Sequence, residues 1–257
     1  MENENLYGYL CSLFYDIDKP LPDQKELDFY LSFVNKNMNI LEPMCGSGRF
    51  LVSFIEKGFN IDGFDISKEM LERCKSKIDK LKIKNSSKLE CCSFNTFPIS
   101  RKYDFIFIPS GSFSLFTNSN DINENLKILE MLSSQNGKIV IELEVNENMD
   151  GKKVSESYSK SKTVKKDNNE IVLYYKTVKV DKNEKVIYSM LKYELYNDDK
   201  FIRDEEQNFN LKYYAPFEFE KYLDKTLLKI KNKYMNYEKE KYSNQKTDKI
   251  IYELVKE

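Results

Sequence analysis

The chain contains no histidine and no tryptophan among its 257 residues. Histidine is the commonest general base and the commonest transition-metal ligand, so proton transfer here must use carboxylates, tyrosine, lysine or cysteine. The five cysteines are an odd number without paired spacing, and Cys91 and Cys92 are adjacent. This pattern fits neither a zinc site nor a disulfide framework, so we expect no metal and a cytoplasmic location.

Long apolar runs and a strong net charge are also missing. No run approaches the roughly 18 apolar residues that a membrane span needs, and segment 1–5 is acidic, unlike a targeting signal. A net charge of −1 gives no general attraction to nucleic acid or to an acidic membrane. The basic residues of the second half are interpreted as a solvated, lysine-protected edge strand, with a polyanion site as the alternative. They are concentrated at Lys152, Lys153, Lys160, Lys162, Lys165 and Lys166.

Apolar periodicity predicts the order of the elements up to residue 145. Residues 6–17 and 23–36 have helical spacing, separated by two prolines. Short apolar runs then alternate with amphipathic stretches, which predicts a parallel sheet covered by helices. The predicted strands are 39–43, 60–65, 88–92, 103–109 and 138–145, and the predicted helices are 48–56, 68–81 and 123–132.

After residue 150 the pattern changes to partial period-two alternation between turn signals. Four antiparallel strands are predicted at 154–165, 170–180, 185–197 and 202–213. A helix after Pro216 and strands near 228–237 and 249–255 then complete the first sheet. We therefore predict an α/β fold with a doubly wound, mostly parallel seven-stranded sheet and an inserted antiparallel β-sheet. The predicted division is 1–150 with 214–257 for the main domain, including a helical cap at 1–37, and 151–213 for the insert.

The most informative stretch is 40–50, where an apolar strand enters a glycine-rich turn that opens a helix. Gly46 and Gly48 let the backbone approach a ligand and take dihedral angles that a Cβ would obstruct. The start of the following helix offers free amides to a carboxylate. Asp65 ends the next predicted strand, where a carboxylate can accept both ribose hydroxyls of an adenosine.

The same region resembles a known family. Leu51 stands where a dinucleotide motif has its third glycine, which favours S-adenosylmethionine (SAM) over a pyrophosphate cofactor. Residues 42–50 and 63–71 resemble motifs I and II of the class I SAM-dependent methyltransferases. Residues 103–108 resemble the fourth-strand motif, and 136–142 resemble the turn and fifth strand. The resemblance implies a Rossmann-like fold, SAM as cofactor and S-adenosylhomocysteine as product.

By this resemblance, the glycine turn would contact the methionine part of SAM, Asp65 its ribose, and Ile66 and Met70 its adenine. Ser93 stands where the family often has an acid beside the adenine, while Phe94 can still stack on the ring. Arg49 would reach the SAM carboxylate. Tyr15 belongs to a segment similar to the N-terminal segment that closes over SAM in this family. The implied cofactor site is Tyr15, Glu42, Met44, Cys45, Gly46, Gly48, Arg49, Asp65, Ile66, Met70, Ser93, Phe94 and Pro109.

The sequence after the fourth strand bears on the methyl acceptor. Enzymes that methylate the exocyclic amines of nucleobases or glutamine typically carry Asn-Pro-Pro-aromatic there, whereas this chain has Pro-Ser-Gly-Ser-Phe at 109–113. That argues against DNA adenine and glutamine as acceptors. The insert is similar to the lid of small-molecule methyltransferases, including glycine and sarcosine N-methyltransferase relatives and amino-sugar N,N-dimethyltransferases. Its tyrosines are either strand-forming packing residues or an aromatic wall that attracts a partly cationic amine.

Methyl transfer from a sulfonium is an in-line displacement, so holding the nucleophile about 3 Å from the methyl group does most of the catalysis. Glu142, Tyr214 and Ser112 are the candidates to orient an acceptor, with Glu144 as a further one. We predict a small-molecule N- or O-methyltransferase without a membrane or nucleic-acid partner, and a homodimer as one oligomeric state. The alternatives are a tRNA or protein methyltransferase that docks its substrate on the basic insert, and a catalytically silent SAM-binding partner protein.

Overall fold

The computed structural model describes residues 7–84, 86–149 and 151–256. The acidic segment 1–5, the start of the first predicted helix and the domain boundary at 150 lie outside these residues. The helices are α1 (Tyr9–Asp18), α2 (Gln24–Leu31), α3 (Arg49–Glu56), α4 (Lys68–Leu81), α5 (Ser119–Leu132) and α6 (Glu220–Leu223). The strands are β1 (Ile40–Pro43), β2 (Ile61–Asp65), β3 (Leu89–Cys91), β4 (Tyr103–Ile108), β5 (Ser133–Glu144), β6 (Ser159–Lys166), β7 (Asn169–Asp181), β8 (Val186–Asn197), β9 (Lys200–Lys212), β10 (Leu228–Tyr234) and β11 (Lys249–Lys256).

Seven strands form one sheet in the order β10-β11-β5-β4-β1-β2-β3. Strands β1 to β5 pair in parallel, and β11 runs antiparallel to both β5 and β10. Both faces of the sheet are covered by helices, which explains why β1 and most of β4 are buried at nearly every position. The predicted doubly wound, Rossmann-like α/β fold is confirmed.

Two apolar clusters lie on opposite faces of this sheet. On one face, α2, α3 and α4 pack through residues such as Tyr30, Phe54 and Leu71. On the other face, α5 and α6 pack through residues such as Leu126 and Leu223. The strand ends between these two layers are left free, and the carboxyl ends of parallel strands are where α/β proteins bind their ligands.

The remaining strands form a separate antiparallel sheet in the order β6-β7-β8-β9, which we call the lid. It spans residues 159–212, within the predicted insert. Its inner face packs on α1 through a third apolar cluster that includes Phe14, Ile171 and Tyr193. The rings of Phe14 and Tyr193 meet edge to face, with centroids 5.5 Å apart. Helix α1 therefore lies between the lid and helix α4 of the main domain.

Several element ends differ from the prediction for local reasons. Helix α2 stops at Leu31 instead of residue 36, and the chain continues through turns to β1. Helix α5 begins at Ser119, before the predicted start, because the side chain of Asn118 accepts a hydrogen bond from the Asn120 amide. Helix α6 is short and starts late, after Phe217 has taken a left-handed backbone conformation with φ +65°.

In the parts of the chain that the structure covers, no helix combines the length and apolar character needed to cross a bilayer. Across the same residues, no group of three or more aspartate, glutamate or cysteine side chains is placed to hold a metal ion.

Candidate functional site

The turn after β1 brings the backbone into left-handed conformations at Met44, Gly46 and Gly48, with φ angles of +57°, +53° and +79°. A Cβ on Gly46 would meet a single side-chain atom, Met70 Sδ, at 3.9 Å. A Cβ on Gly48 would lie 2.5 Å from Cys74 Sγ. The two glycines therefore have different tasks: Gly46 leaves space for a ligand, and Gly48 lets α3 pack closely on α4.

Asp65 ends β2 beside this turn. Its Oδ2 accepts the Gly46 N–H at 2.8 Å, and its Oδ1 accepts the Ser67 N–H at 2.9 Å. Burial raises the pKa of the Asp65 carboxyl, while these backbone donors oppose the rise. A carboxylate offers about four lone-pair positions, so two remain for further donors such as a pair of ribose hydroxyls.

A cavity of about 870 Å³ opens at the ends of β1, β2 and β4. The side chains and backbone of nearly all the predicted cofactor residues line it, and so does Ser112. Their individual contacts with SAM stay predictions. These lining residues are Tyr15, Glu42, Met44, Cys45, Gly46, Arg49, Asp65, Ile66, Met70, Ser93, Phe94, Pro109 and Ser112.

Glu42 supplies a test of whether this cavity fits SAM. The residue is 2% exposed, and its Oε2 has no hydrogen-bond partner among the residues described. Burial raises the pKa of the Glu42 carboxyl well above its usual range. An unpaired buried carboxyl is costly until a donor or cation reaches it. SAM carries an ammonium and a sulfonium, so a cationic ligand of this kind fits the cavity.

Arg49, the first residue of α3, ties the glycine turn to the loop after β4. Its guanidinium donates to Ser110 Oγ at 2.9 Å and forms an ion pair with Glu26 of α2. Tyr15 lies nearby, where burial raises the pKa of its phenol and the positive charge of Arg49 opposes the rise. The arginine is thus held in place by the protein before any ligand binds.

Helix α1 is anchored over the cavity through polar contacts. Lys77 of α4 donates to Asp16 Oδ1 at 2.6 Å and to the Ser47 carbonyl at 3.0 Å, which connects α1 to the glycine turn. Ser67 Oγ donates to the Tyr7 carbonyl at 2.7 Å. These contacts place Tyr7 and Tyr15 in the cavity wall.

Four predicted site residues do not line the cavity, namely Gly48, Glu142, Glu144 and Tyr214. Gly48 faces α4, as described above. Glu142 is buried beneath α2, where its Oε2 accepts the Tyr237 hydroxyl at 2.6 Å and its Oε1 lies 3.6 Å from Lys249 Nζ. Tyr214 is 1% exposed, and its ring packs on Phe219. The orienting roles of Glu142 and Tyr214 stay predictions that their positions do not support.

The sequence reasoning missed other lining residues. Some of these residues directly follow β4, in the segment that the sequence linked to the methyl acceptor without giving them a role. Others come from the start of α5, where the available signal was a polar pair at four-residue spacing within an otherwise apolar helix face. The missed residues are Tyr7, Phe50, Phe64, Cys92, Asn95, Ser110, Leu115, Phe116, Thr117, Asn118, Asp121 and Asn125.

The sheet order, the glycine turn and the carboxylate of Asp65 define a class I SAM-dependent methyltransferase, with SAM as cofactor. A family described as "Methyltransferase domain" matches residues 34–214, and the chain belongs to this family. Among curated proteins, it is similar to the type II methyltransferase M.VspI of Vibrio sp. (strain 343), with 33% identity over 93 residues. That match covers 34% of this chain and spans only 23% of the length of the Vibrio protein.

Solved structures share the fold over nearly the whole chain. A SAM-dependent methyltransferase from Clostridium acetobutylicum has a TM-score of 0.73 and 21% identity, over 95% of this chain and 96% of its own. CalS10, an amino pentose methyltransferase from Micromonospora echinaspora involved in calicheamicin biosynthesis, has a TM-score of 0.66 and 11% identity, over 100% of both chains. At these identities the similarity establishes the fold.

Proposed function

We propose that this methyltransferase transfers the methyl group of SAM to an amine or a hydroxyl of a small molecule. The observation that carries the proposal is the lid, which follows β5 in the chain and sits against α1 at the cofactor cavity. An amino pentose methyltransferase shares the fold over its full length, which supports the proposal. The proposed division of the chain is the main domain at 1–150 and 214–257 and the lid at 151–213.

The lid is placed to shape an acceptor site. Its strand β9 contacts the 3-10 turn Ser112–Leu115, which follows β4 at the cavity. Its inner face also carries a hydroxyl network, in which Ser189 Oγ donates to Tyr175 Oη at 2.8 Å. A small polar acceptor could therefore be enclosed between the lid, α1 and this turn, away from bulk water.

Catalysis would rest on positioning. The nucleophile forms a bond to the methyl carbon as the bond from sulfur to that carbon breaks, and the amine or hydroxyl then loses its proton. Ser112, in the cavity wall, is placed to orient the acceptor. Glu144 does not line the cavity but lies beside Gly111, the residue before Ser112, because a Cβ on Gly111 would be 2.7 Å from Glu144 Oε1. Burial, with the nearby charges of Glu142 and Asp248, raises the pKa of Glu144, so this group would receive the proton through an intervening water.

The lysines of the lid do not favour a nucleic-acid or protein substrate. Lys162 forms an ion pair with Asp18 of α1, and Lys165 lies 2.6 Å from Glu170 on the neighbouring strand. Such pairs support the interpretation of a solvated edge strand. We accordingly propose that the protein has no nucleic-acid partner. We also propose a cytoplasmic location and a homodimer, and size-exclusion chromatography would test the homodimer.

The proposal is tested first by calorimetric titration with SAM, S-adenosylhomocysteine and NAD. We expect the first two to bind at micromolar concentration and NAD not to bind. Amine and hydroxyl acceptors, beginning with amino sugars, are then screened for S-adenosylhomocysteine production. Binding of SAM with no turnover on any acceptor would favour the silent partner protein, and salt-sensitive RNA binding would favour the tRNA enzyme.

A further inference from the structure

The first two turns of α5 form one wall of the cofactor cavity and contain a buried side chain without a partner. Asp121 and Asn125 are four residues apart, so they lie on the same face of the helix, and both line the cavity. Asn125 is 4% exposed. Its carboxamide makes no hydrogen bond to any residue that the structure describes, so its donor and its acceptor remain free for a ligand.

Asn123, on the same helix, provides an internal comparison. Its Nδ2 donates to the Ser119 carbonyl at 2.6 Å, its Oδ1 has no partner among the residues described, and the residue does not line the cavity. The Asn123 amide nitrogen therefore serves the helix itself, away from the cavity, whereas Asn125 lines the space where a ligand binds. This difference points to a ligand contact for Asn125.

The surroundings of Asn125 indicate which part of the cofactor it meets. Phe94 lines the same region, and its ring packs edge to face on Phe116 with centroids 5.5 Å apart. In the proposed cofactor placement, Phe94, Ile66 and Met70 surround the adenine. Helix α5 contacts the short helix Phe94–Thr96, which brings Asn125 to the adenine end of the cavity rather than to the methionine end.

The position that often carries an acid for the adenine amine holds Ser93 here. Its hydroxyl is already engaged, because Ser93 Oγ lies 3.1 Å from Thr96 Oγ1 in the cap of the short helix. The adenine amine thus lacks its usual partner at this position. A carboxamide offers both an acceptor and a donor, which matches the amine and a neighbouring ring nitrogen of adenine.

We propose that Asn125 recognises the edge of the adenine ring of SAM and replaces the missing acid after β3. The inference rests on the proposed placement of the cofactor. It makes α5, and not the loop after β3, the element that selects adenine over other bases. Asp121, one turn earlier, contributes a second acceptor at the same edge.

The test compares S-adenosylhomocysteine with its purine analogue, which lacks the 6-amino group, by calorimetry. We expect the native protein to bind the adenine compound about threefold to tenfold more tightly, the value of one net hydrogen bond. Asn125→Leu should reduce this preference to less than about twofold, on the same scale. Asn123→Leu, the matched control, should keep it.

Asn125→Asp is the second variant, because it keeps an oxygen acceptor for the amine and should retain the preference even where Asn125→Leu folds poorly. An unchanged preference in a folded Asn125→Leu protein would overturn the proposal. Loss of the preference in Asn125→Asp would also overturn it, since the acceptor would then not matter. If the native protein binds neither compound, the cofactor placement itself is wrong, and that result is distinguishable from either of these.

Discussion

The two sheets of this protein differ in how they relate to the cofactor cavity. Helices cover both faces of the seven-stranded sheet, and the ends of its strands supply Glu42, Asp65 and Pro109 to the cavity. Among the residues described, no cavity-lining residue comes from the lid strands at 159–212. The lid instead packs on α1, which does line the cavity. We therefore expect residues of the main domain to bind the cofactor. The lid should affect cofactor binding only through α1.

The largest expected effect lies inside the main sheet, at Gly48. Gly48→Ala should lower the free energy of unfolding by about 2–4 kcal/mol, because it combines a strained left-handed residue with overpacking. The new Cβ would lie 2.5 Å from Cys74 Sγ and 2.9 Å from Val52 Cγ2. Denaturant titration measures the change.

Gly46→Ala is the matched control for this prediction, since Gly46 also has a positive φ but its added Cβ would meet only Met70 Sδ, at 3.9 Å. It should cost only about 1 kcal/mol of stability, the strain of a left-handed residue. Its methyl group would enter the cavity, so SAM binding should weaken instead. Equal losses of stability in the two variants would contradict the different tasks assigned to these glycines.

The second-largest expected effect is on the affinity for SAM. Asp65→Ala should weaken SAM binding by about 1–3 kcal/mol through the loss of charge-assisted hydrogen bonds. Asp62, on the same strand, is a suitable control, because its carboxylate is occupied by Arg101 at 2.9 Å and by the Tyr103 hydroxyl at 3.0 Å. Asp62→Asn should lower the melting temperature and leave the affinity unchanged. Unchanged SAM affinity in a folded Asp65→Ala protein would remove the ribose placement.

The fold and the glycine turn could be predicted from the sequence because their signals are local. Apolar periodicity identifies strands and helices, and the position of Asp65 at a strand end follows from parallel pairing. The environment of Glu142 could not be predicted, because it depends on which side of β5 faces Tyr30 and Tyr237 of distant segments. Asn125 was missed for the same reason: its role depends on how α5 is rotated against the sheet.

The third prediction concerns pH. The pKa of Glu42 is raised by burial in the folded chain, so the folded state holds this proton more tightly than the unfolded state. Stability from this group is present below the ordinary pKa of glutamate and is lost as pH rises through the raised value. Each unit of difference is worth about 1.4 kcal/mol.

Glu42→Gln should therefore raise the melting temperature of the ligand-free protein more at pH 8 than at pH 5. The same substitution should weaken binding of S-adenosylhomocysteine, because the neutral amide would attract the ligand ammonium less than the carboxylate does. Thermal melts at the two pH values, together with calorimetry, measure both effects. A substitution that destabilises the protein equally at both pH values would show that Glu42 is charged and paired in the folded state.

The smallest effect would test whether the lid communicates with the cofactor cavity. Helix α1 begins after Gly8, which has no side chain to cap it, and the Leu10 amide donates instead to Glu205 Oε2 of β9 at 3.1 Å. A lid carboxylate thus caps the helix that carries Tyr15 to the cavity. A negative charge at a helix N-terminus is favourable, and a cap contributes about 1 kcal/mol.

Glu205→Ala should consequently increase hydrogen exchange of residues 9–18 and weaken S-adenosylhomocysteine binding about twofold to fivefold, as expected for the loss of such a cap. Glu205→Gln keeps the acceptor without the charge, so its effect should be smaller. Glu206→Ala, at an exposed position next along the strand, should change neither measurement. If Glu205→Ala increases exchange in α1 but leaves the affinity intact, the cavity does not depend on the cap. The lid would then act on the acceptor alone, and the separation of the two sheets would be complete.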